Sequence, residues 1–98
     1  MSHRLIISPE AEADLAAAFD WYEERQAGLG IEFLSEVRAA LRAAVENPLH
    51  HQVLHQDVRR ILTRRFPYKV FFLADAERVE VIGVVHAKRH ARVWQGRL

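Results

Sequence analysis

The stretch from Val58 to His86, VRRILTRRFPYKVFFLADAERVEVIGVVH, narrows the folds open to this chain more than any other. Val58 to Thr63 and Tyr68 to Leu73 are rich in β-branched and aromatic residues, which pack well on a pleated surface. Arg65-Phe66-Pro67 divides them, and Pro67, with no N–H to give a ladder, belongs at a strand start or a bulge. Asp75-Ala76-Glu77-Arg78 is short and polar, as a hairpin turn requires. Beyond it Val79, Val81 and Val85 alternate with Glu80, Ile82, Val84 and His86. That strand is apolar on much of both faces, the pattern of a strand interior to its sheet. Three consecutive antiparallel strands are expected, and the rest of the chain must cover them.

Ninety-eight residues, half of them hydrophobic, suffice for one modest core, so residues 1–98 are expected to form a single domain. Cysteine is absent, which removes a disulfide framework, a thiolate nucleophile and a cysteine zinc site together. The apolar run Leu5-Ile6-Ile7 is too short for a secretory signal, and no stretch approaches the roughly 18 apolar residues of a spanning helix. A cytoplasmic protein with no membrane partner is the expectation. The net charge of +1 conceals a division. Residues 1–58 hold four arginines against ten acids and residues 59–98 ten basic side chains against three acids, leaving −6 and +7. An acidic helical side and a basic sheet side are expected from this division.

The first half reads as one short strand, Arg4-Leu5-Ile6-Ile7, and a helical hairpin. Ser8 is placed to cap the first helix, Pro9 suits its first position, where a missing N–H costs nothing, and Glu10, Glu12 and Asp14 lie near the positive end of the dipole. Ala11, Leu15, Phe19 and Tyr22 fall at helical spacing as the buried stripe, and Trp21 lies off its centre, first as a boundary residue packing on the next helix and otherwise as an exposed anchor for a partner. Gly28 and Gly30 allow the reversal. Phe33, Leu34, Val37, Leu41, Ala44 and Val45 mark a second helix, which Asn47-Pro48 stops. Leu15, Phe19, Leu34, Val37, Leu41, Val70 and Val81 are expected in the core. Leu49 to Asp57 reads as a connecting loop with three of the six histidines. His51 and His55 have a metal-ligand spacing only on a helix, which Pro48 and the polar composition oppose, so no metal or other cofactor is expected.

Chemistry concentrates on the basic half. Arg59, Arg60, Arg64, Arg65 and Lys69 fall on two strands that should be adjacent, and Lys88, Arg89 and Arg92 come after the last strand. By alternation Arg60 and Arg64 point to one face and Arg59 and Arg65 to the other, so the helices cover one set and leave the other to solvent. Guanidinium groups clamp phosphate or carboxylate bidentately and keep their charge at any cellular pH. His86 and His90 are the side-chain types suited to acid–base work, but His86 reads first as a strand-end histidine hydrogen-bonded to backbone.

With SPEAEADLAAAFDWY at the helix start, RRFPYKVFF at the middle strand, VEVIGVVH in the last and KRHARVW after it, the sequence resembles the RelE/ParE superfamily of type II toxin–antitoxin toxins over nearly its whole length. The resemblance implies an α+β fold in which an antiparallel-rich sheet of about four strands packs on an N-terminal helical hairpin, in the order β-α-α-β-β-β. It implies a cognate antitoxin whose segment folds on the toxin, in a heteromeric complex. RelE-like members cleave mRNA on the ribosome without a metal, and that branch would make Lys69, His86 and Arg89 catalytic. Lys69 lacks the bidentate fork of arginine, and Trp94, near the position of a tail tyrosine, cannot give up a proton as tyrosine does. ParE-like members, the plasmid-stabilisation branch, poison DNA gyrase without a hydrolytic site, and the FPY entry and final-strand histidine resemble that branch more. Arg59, Arg60, Arg64, Arg65, Lys88, Arg92 and Trp94 would then meet a partner. A non-toxic nucleic-acid-binding module is the alternative of another class, marked by steep salt dependence.

Overall fold

The computed structural model describes residues 3–88 and 95–98. Strand β1 (Arg4–Ile7) leads into helix α1 (Pro9–Arg25), which starts as its cap predicts. Ser8 has extended backbone, and its hydroxyl accepts from the Ala11 N–H at 3.1 Å. The chain reverses at Gly28, whose φ of 89° is left-handed, a region glycine enters without steric cost. Glu23 secures the turn by accepting from the Gly28 N–H at 3.1 Å and the Gly30 N–H at 2.8 Å. Helix α2 (Leu29–Glu46) ends at Asn47, before a short 3-10 turn at Pro48–His50.

The remaining strands are β2 (Val53–His55), β3 (Val58–Leu62), β4 (Tyr68–Ala74) and β5 (Arg78–His86). They form one sheet of five strands in the order β1-β5-β4-β3-β2. Every pairing is antiparallel except β1 with β5, which is parallel because the helical hairpin carries the chain back across the sheet. As its two-sided apolar pattern predicts, β5 is interior. The expected four strands become five because part of the Leu49 to Asp57 segment pairs with β3. Gln56 and Asp57 both adopt positive φ, 47° and 67°, which closes a two-residue hairpin without the usual asparagine and glycine. At the other hairpin the Asp75 carboxylate accepts from the Glu77 and Arg78 N–H groups, both at 2.8 Å. These two bonds hold Asp75 below the usual carboxylate pKa.

A bulge in β5 alters the predicted faces. Phe71 pairs with Gly83 and Phe72 with Val81, so Ile82 is the extra residue. Val79, Val81 and Val84 therefore share the helix-side core, while Ile82 and Val85 join Val58 and Phe71 on the opposite face. Strict alternation sets Val84 on the face opposite Val79 and Val81. The slip also turns His86 toward the helices.

The helix-side core joins Ala11, Ala18 and Tyr22 of α1 and Phe33, Val37, Leu41 and Ala44 of α2 to Val70, Phe72, Val79 and Val81 of the sheet. Tyr22, Phe33, Phe66 and Tyr68 stack within it, with Tyr22 to Phe66 at 4.9 Å and Phe33 to Tyr68 at 4.8 Å between centroids. Val37, Leu41, Val70 and Val81 are buried as expected. Leu15, Phe19 and Leu34 are only half-buried, because α1 presents its alanines to the sheet and leaves these three around a hollow between the helices. Of the two readings of Trp21, packing on the second helix is not what the structure shows: the ring is 50% exposed and lies against Tyr22 and under Arg25 of its own helix. Among the described residues no helix is long and apolar enough to cross a membrane.

Candidate functional site

Arg59 and Arg60 lie on opposite faces of β3 as alternation predicts, and the division decides which of them is available to a partner. Arg59 lies on the helix side and donates to the His51 carbonyl at 2.7 Å, fixing the segment after α2. Arg65 forms an ion pair with Glu32 of α2 at 2.6 Å, and Glu36 accepts from the Arg65 and Phe66 N–H groups at 2.5 and 3.3 Å. The Glu32 carboxylate raises the Arg65 pKa by hydrogen bond and charge. Arg65 thus ties the β3–β4 connection to α2, and Arg59 ties β3 to the segment that follows α2. Arg60 makes one exposed bond to Gln52 at 3.1 Å, and Arg64 and Lys88 are exposed. Lys69 sits opposite Leu62 and Val85 on the face turned away from the helices, beside the 57% exposed Leu62. Arg60 and Lys69 therefore share an open face with Leu62 at its centre, and Arg64 is exposed beyond the end of β3.

The structure separates Lys69 from His86. Tyr68 pairs with His86 across β4 and β5, their rings 5.3 Å apart, and both face α1, whereas Lys69 faces the other way. The His86 Nδ1 accepts from the Lys88 N–H at 3.1 Å, so the neutral imidazole carries its proton on Nε2. Arg89, Arg92 and Trp94, and with them His90, lie outside the described residues.

On the helix side His86 borders a slot of about 500 Å³. Ala13, Ala17 and Trp21 of α1 form one wall, and Tyr68, Val84 and His86 form the other. The slot exists because α1 carries small residues there. Tyr22 lies at its floor, hydrogen-bonded to Tyr68, and burial of its hydroxyl is the larger influence, raising its pKa.

Asp14 lines the slot at one end and is paired there with Arg97. The Arg97 guanidinium meets both Asp14 oxygens, at 2.6 and 3.0 Å, and donates to the Ile82 carbonyl at 2.9 Å. Asp14 also accepts from the Val84 N–H at 2.9 Å. The side chains are 14% and 18% exposed, and the carboxylate beside it raises the Arg97 pKa. Sequence reasoning missed both residues and the slot. The run of alanines in α1 was the available sign of a concavity. Nothing local links positions 83 apart. Among the described residues no group of three or more histidines and acids is placed to hold a metal ion.

The family model for the ParE toxin of the type II toxin–antitoxin system parDE matches residues 5–91. A solved structure titled as the chromosomal ParDE system of P. aeruginosa has a chain similar to this one with a TM-score of 0.79 at 14% identity, covering 89% of this chain and 98% of that one. The E. coli toxin RelE, solved in the free state as a double arginine-to-alanine mutant, is similar with a TM-score of 0.59 at 16% identity, covering 97% and 93%. At these identities the two structures speak for the fold. No curated protein sequence matches the chain.

Proposed function

Since the chain belongs to the ParE toxin family of type II toxin–antitoxin systems, we propose that it halts growth by binding DNA gyrase and that a cognate antitoxin neutralises it. The observation that carries this reading is the family match across residues 5–91, joined to a fold more similar to the ParDE chain than to RelE. The geometry of the sheet supports action by contact. A general acid and base must reach the same reacting atoms, and Lys69 and His86 stand on opposite faces. Arg60, Arg64, Lys69 and the exposed Lys88 are the cations we assign to partner contact, with Arg92 and Trp94 beside them in the sequence. Arg59 and Arg65 contribute by holding the surface in shape.

An antitoxin segment with acidic and apolar residues would neutralise the open face and cover Leu62 in one step. Binding only the folded toxin, it would raise the melting temperature by an amount that grows with the logarithm of its concentration over Kd. The test of the target uses the purified chain in a gyrase supercoiling assay, run beside an assay of mRNA cleavage on translating ribosomes. Loss of supercoiling with intact mRNA is expected. Active gyrase with mRNA cut at codons would replace the reading by the RelE-like one, in which Arg89→Ala should abolish growth arrest. Activity in neither assay, with steeply salt-dependent nucleic-acid binding, would favour the plain binding module.

A further inference from the structure

Strand β5 outruns its neighbour. β1 pairs with it only as far as Ile7 opposite Val81, where the Ser8 N–H makes the last bond to the Val81 carbonyl at 2.9 Å. β5 continues to His86, and among the described residues no strand lies along that part of its edge. Side chains take the first edge groups: Arg97 donates to the Ile82 carbonyl and Asp14 accepts from the Val84 N–H. The next groups are set by the parity of the strand. Both backbone groups of a residue point to one side, and the side alternates from residue to residue. The Ala87 N–H turns toward β4, bonding the Pro67 carbonyl at 2.6 Å, whereas the Val84 N–H turns away from it. The Val84 carbonyl and the His86 N–H therefore also point away from β4, an acceptor and a donor two residues apart. An added strand pairs with such a set.

Behind this edge lies the slot. A strand laid beside Val84–His86 directs every second side chain to the helix side, where Ala13, Ala17, Trp21 and Tyr68 leave about 500 Å³, room for a large aromatic residue. The charges at the mouth favour acidic residues next to it in the added strand. Arg25 lies over the Trp21 ring at 3.3 Å, which sets a cation against the slot's wall, and exposed Lys88 follows His86 by two residues. The end at Asp14, by contrast, is already neutral in its Asp14–Arg97 pair.

Resting on the antitoxin reading above, we propose that the edge Val84–His86 and the slot behind it form a strand-addition site for an extended segment of the antitoxin, in which a large apolar side chain enters the slot and carboxylates come after it. Backbone pairing gives the segment its register, and the slot admits one bulky side chain in that register.

Two measurements test this. In the first, the capped peptide acetyl-Val-Thr-Phe-Val-Glu-Glu-amide is titrated into the isotope-labelled chain. Saturable amide shifts at Val84, Val85, His86 and the slot-facing residues of α1 are expected, and Ala17→Trp should weaken binding at least about tenfold while Ala39→Trp, on the exposed side of α2, leaves it unchanged. Shifts elsewhere, or Ala17→Trp binding like wild type, would overturn the site. Should Ala17→Trp lower the melting temperature, Ala13→Leu narrows the same slot and takes its place. In the second, the chain is co-purified with the product of the adjoining short reading frame. Slower hydrogen exchange at the His86 amide and an about tenfold loss of affinity in Ala17→Trp are expected. A complex indifferent to Ala17→Trp overturns this seat for the antitoxin and leaves the antitoxin reading intact. Absence of any complex with the wild-type chain overturns both.

Discussion

Removing Arg97 should destabilise the domain through the carboxylate it leaves behind. Arg97→Ala deletes two charged hydrogen bonds to Asp14 and one to the Ile82 carbonyl, and leaves a carboxylate that is 14% exposed with one remaining donor, the Val84 N–H. Breaking a fully buried pair costs about 3–5 kcal/mol. Residual solvent access at this pair reduces that to about 2–3 kcal/mol, against a total of roughly 5–15 kcal/mol for a domain of this size. With a urea slope of about 1–3 kcal/mol/M, the midpoint should fall by about 1 M or more. Asp14→Ala should cost as much, since it orphans the Val84 N–H as well as the guanidinium. The double variant should cost less than the two single ones together, with a coupling of about 1–2 kcal/mol. The exposed Arg65–Glu32 pair provides the contrast: its side chains are 60% and 48% exposed, and breaking it should cost far less than breaking the Asp14–Arg97 pair, and less still in high salt. A cost below about 0.5 kcal/mol for Arg97→Ala, or strict additivity in the cycle, would refute the view that this pair holds the end of the chain to β5.

Gly30→Ala should cost about 1–3 kcal/mol by denaturation, because an added Cβ would lie 2.7 Å from the Phe19 ring and 2.8 Å from its carbonyl oxygen, forcing the helices apart. Replacing Gln56 and Asp57 by Asn and Gly should stabilise by about 0.5–1 kcal/mol, since both positions have positive φ that these residues adopt more readily; a loss of stability would count against the hairpin. Tyr22 should ionise later than a free tyrosine in an absorbance titration. A hydroxyl whose pKa is raised on folding stabilises the native state fully below the unfolded value, near 10, and that contribution is lost as pH rises through the folded value, so alkaline unfolding should be delayed in Tyr22→Phe.

The parts of the fold legible in the sequence are those fixed by neighbouring residues. Ser8-Pro9, Asn47-Pro48 and the Asp75 turn each satisfy backbone groups within a few positions, and each stands where local chemistry put it. Strand β2 was illegible because Gln56-Asp57 lacks the asparagine and glycine usual in a two-residue hairpin turn, and its positive φ values are held by the pairing of β2 with β3. The slip at Ile82 was hidden for a related reason: an apolar run such as VIGVV reads equally well in either phase, and the facing residues of β4 decide. Among the basic residues, sequence alternation separated Arg59 from Arg60 across β3, yet only the structure shows Arg59 engaged by a main-chain carbonyl and Arg65 by Glu32. The placement of Lys69 and His86 on opposite faces comes from their adjacency to paired residues, which no spacing along the chain reveals.

The central claim, that this chain is a toxin restrained by a dedicated partner, is tested most directly by growth under tightly controlled expression, with and without the product of the adjoining short reading frame. Expression of the chain alone should arrest growth, with filamentation and a DNA-damage response, and co-expression of the neighbour should restore growth fully. Undisturbed growth on expression of the folded chain alone would contradict the claim.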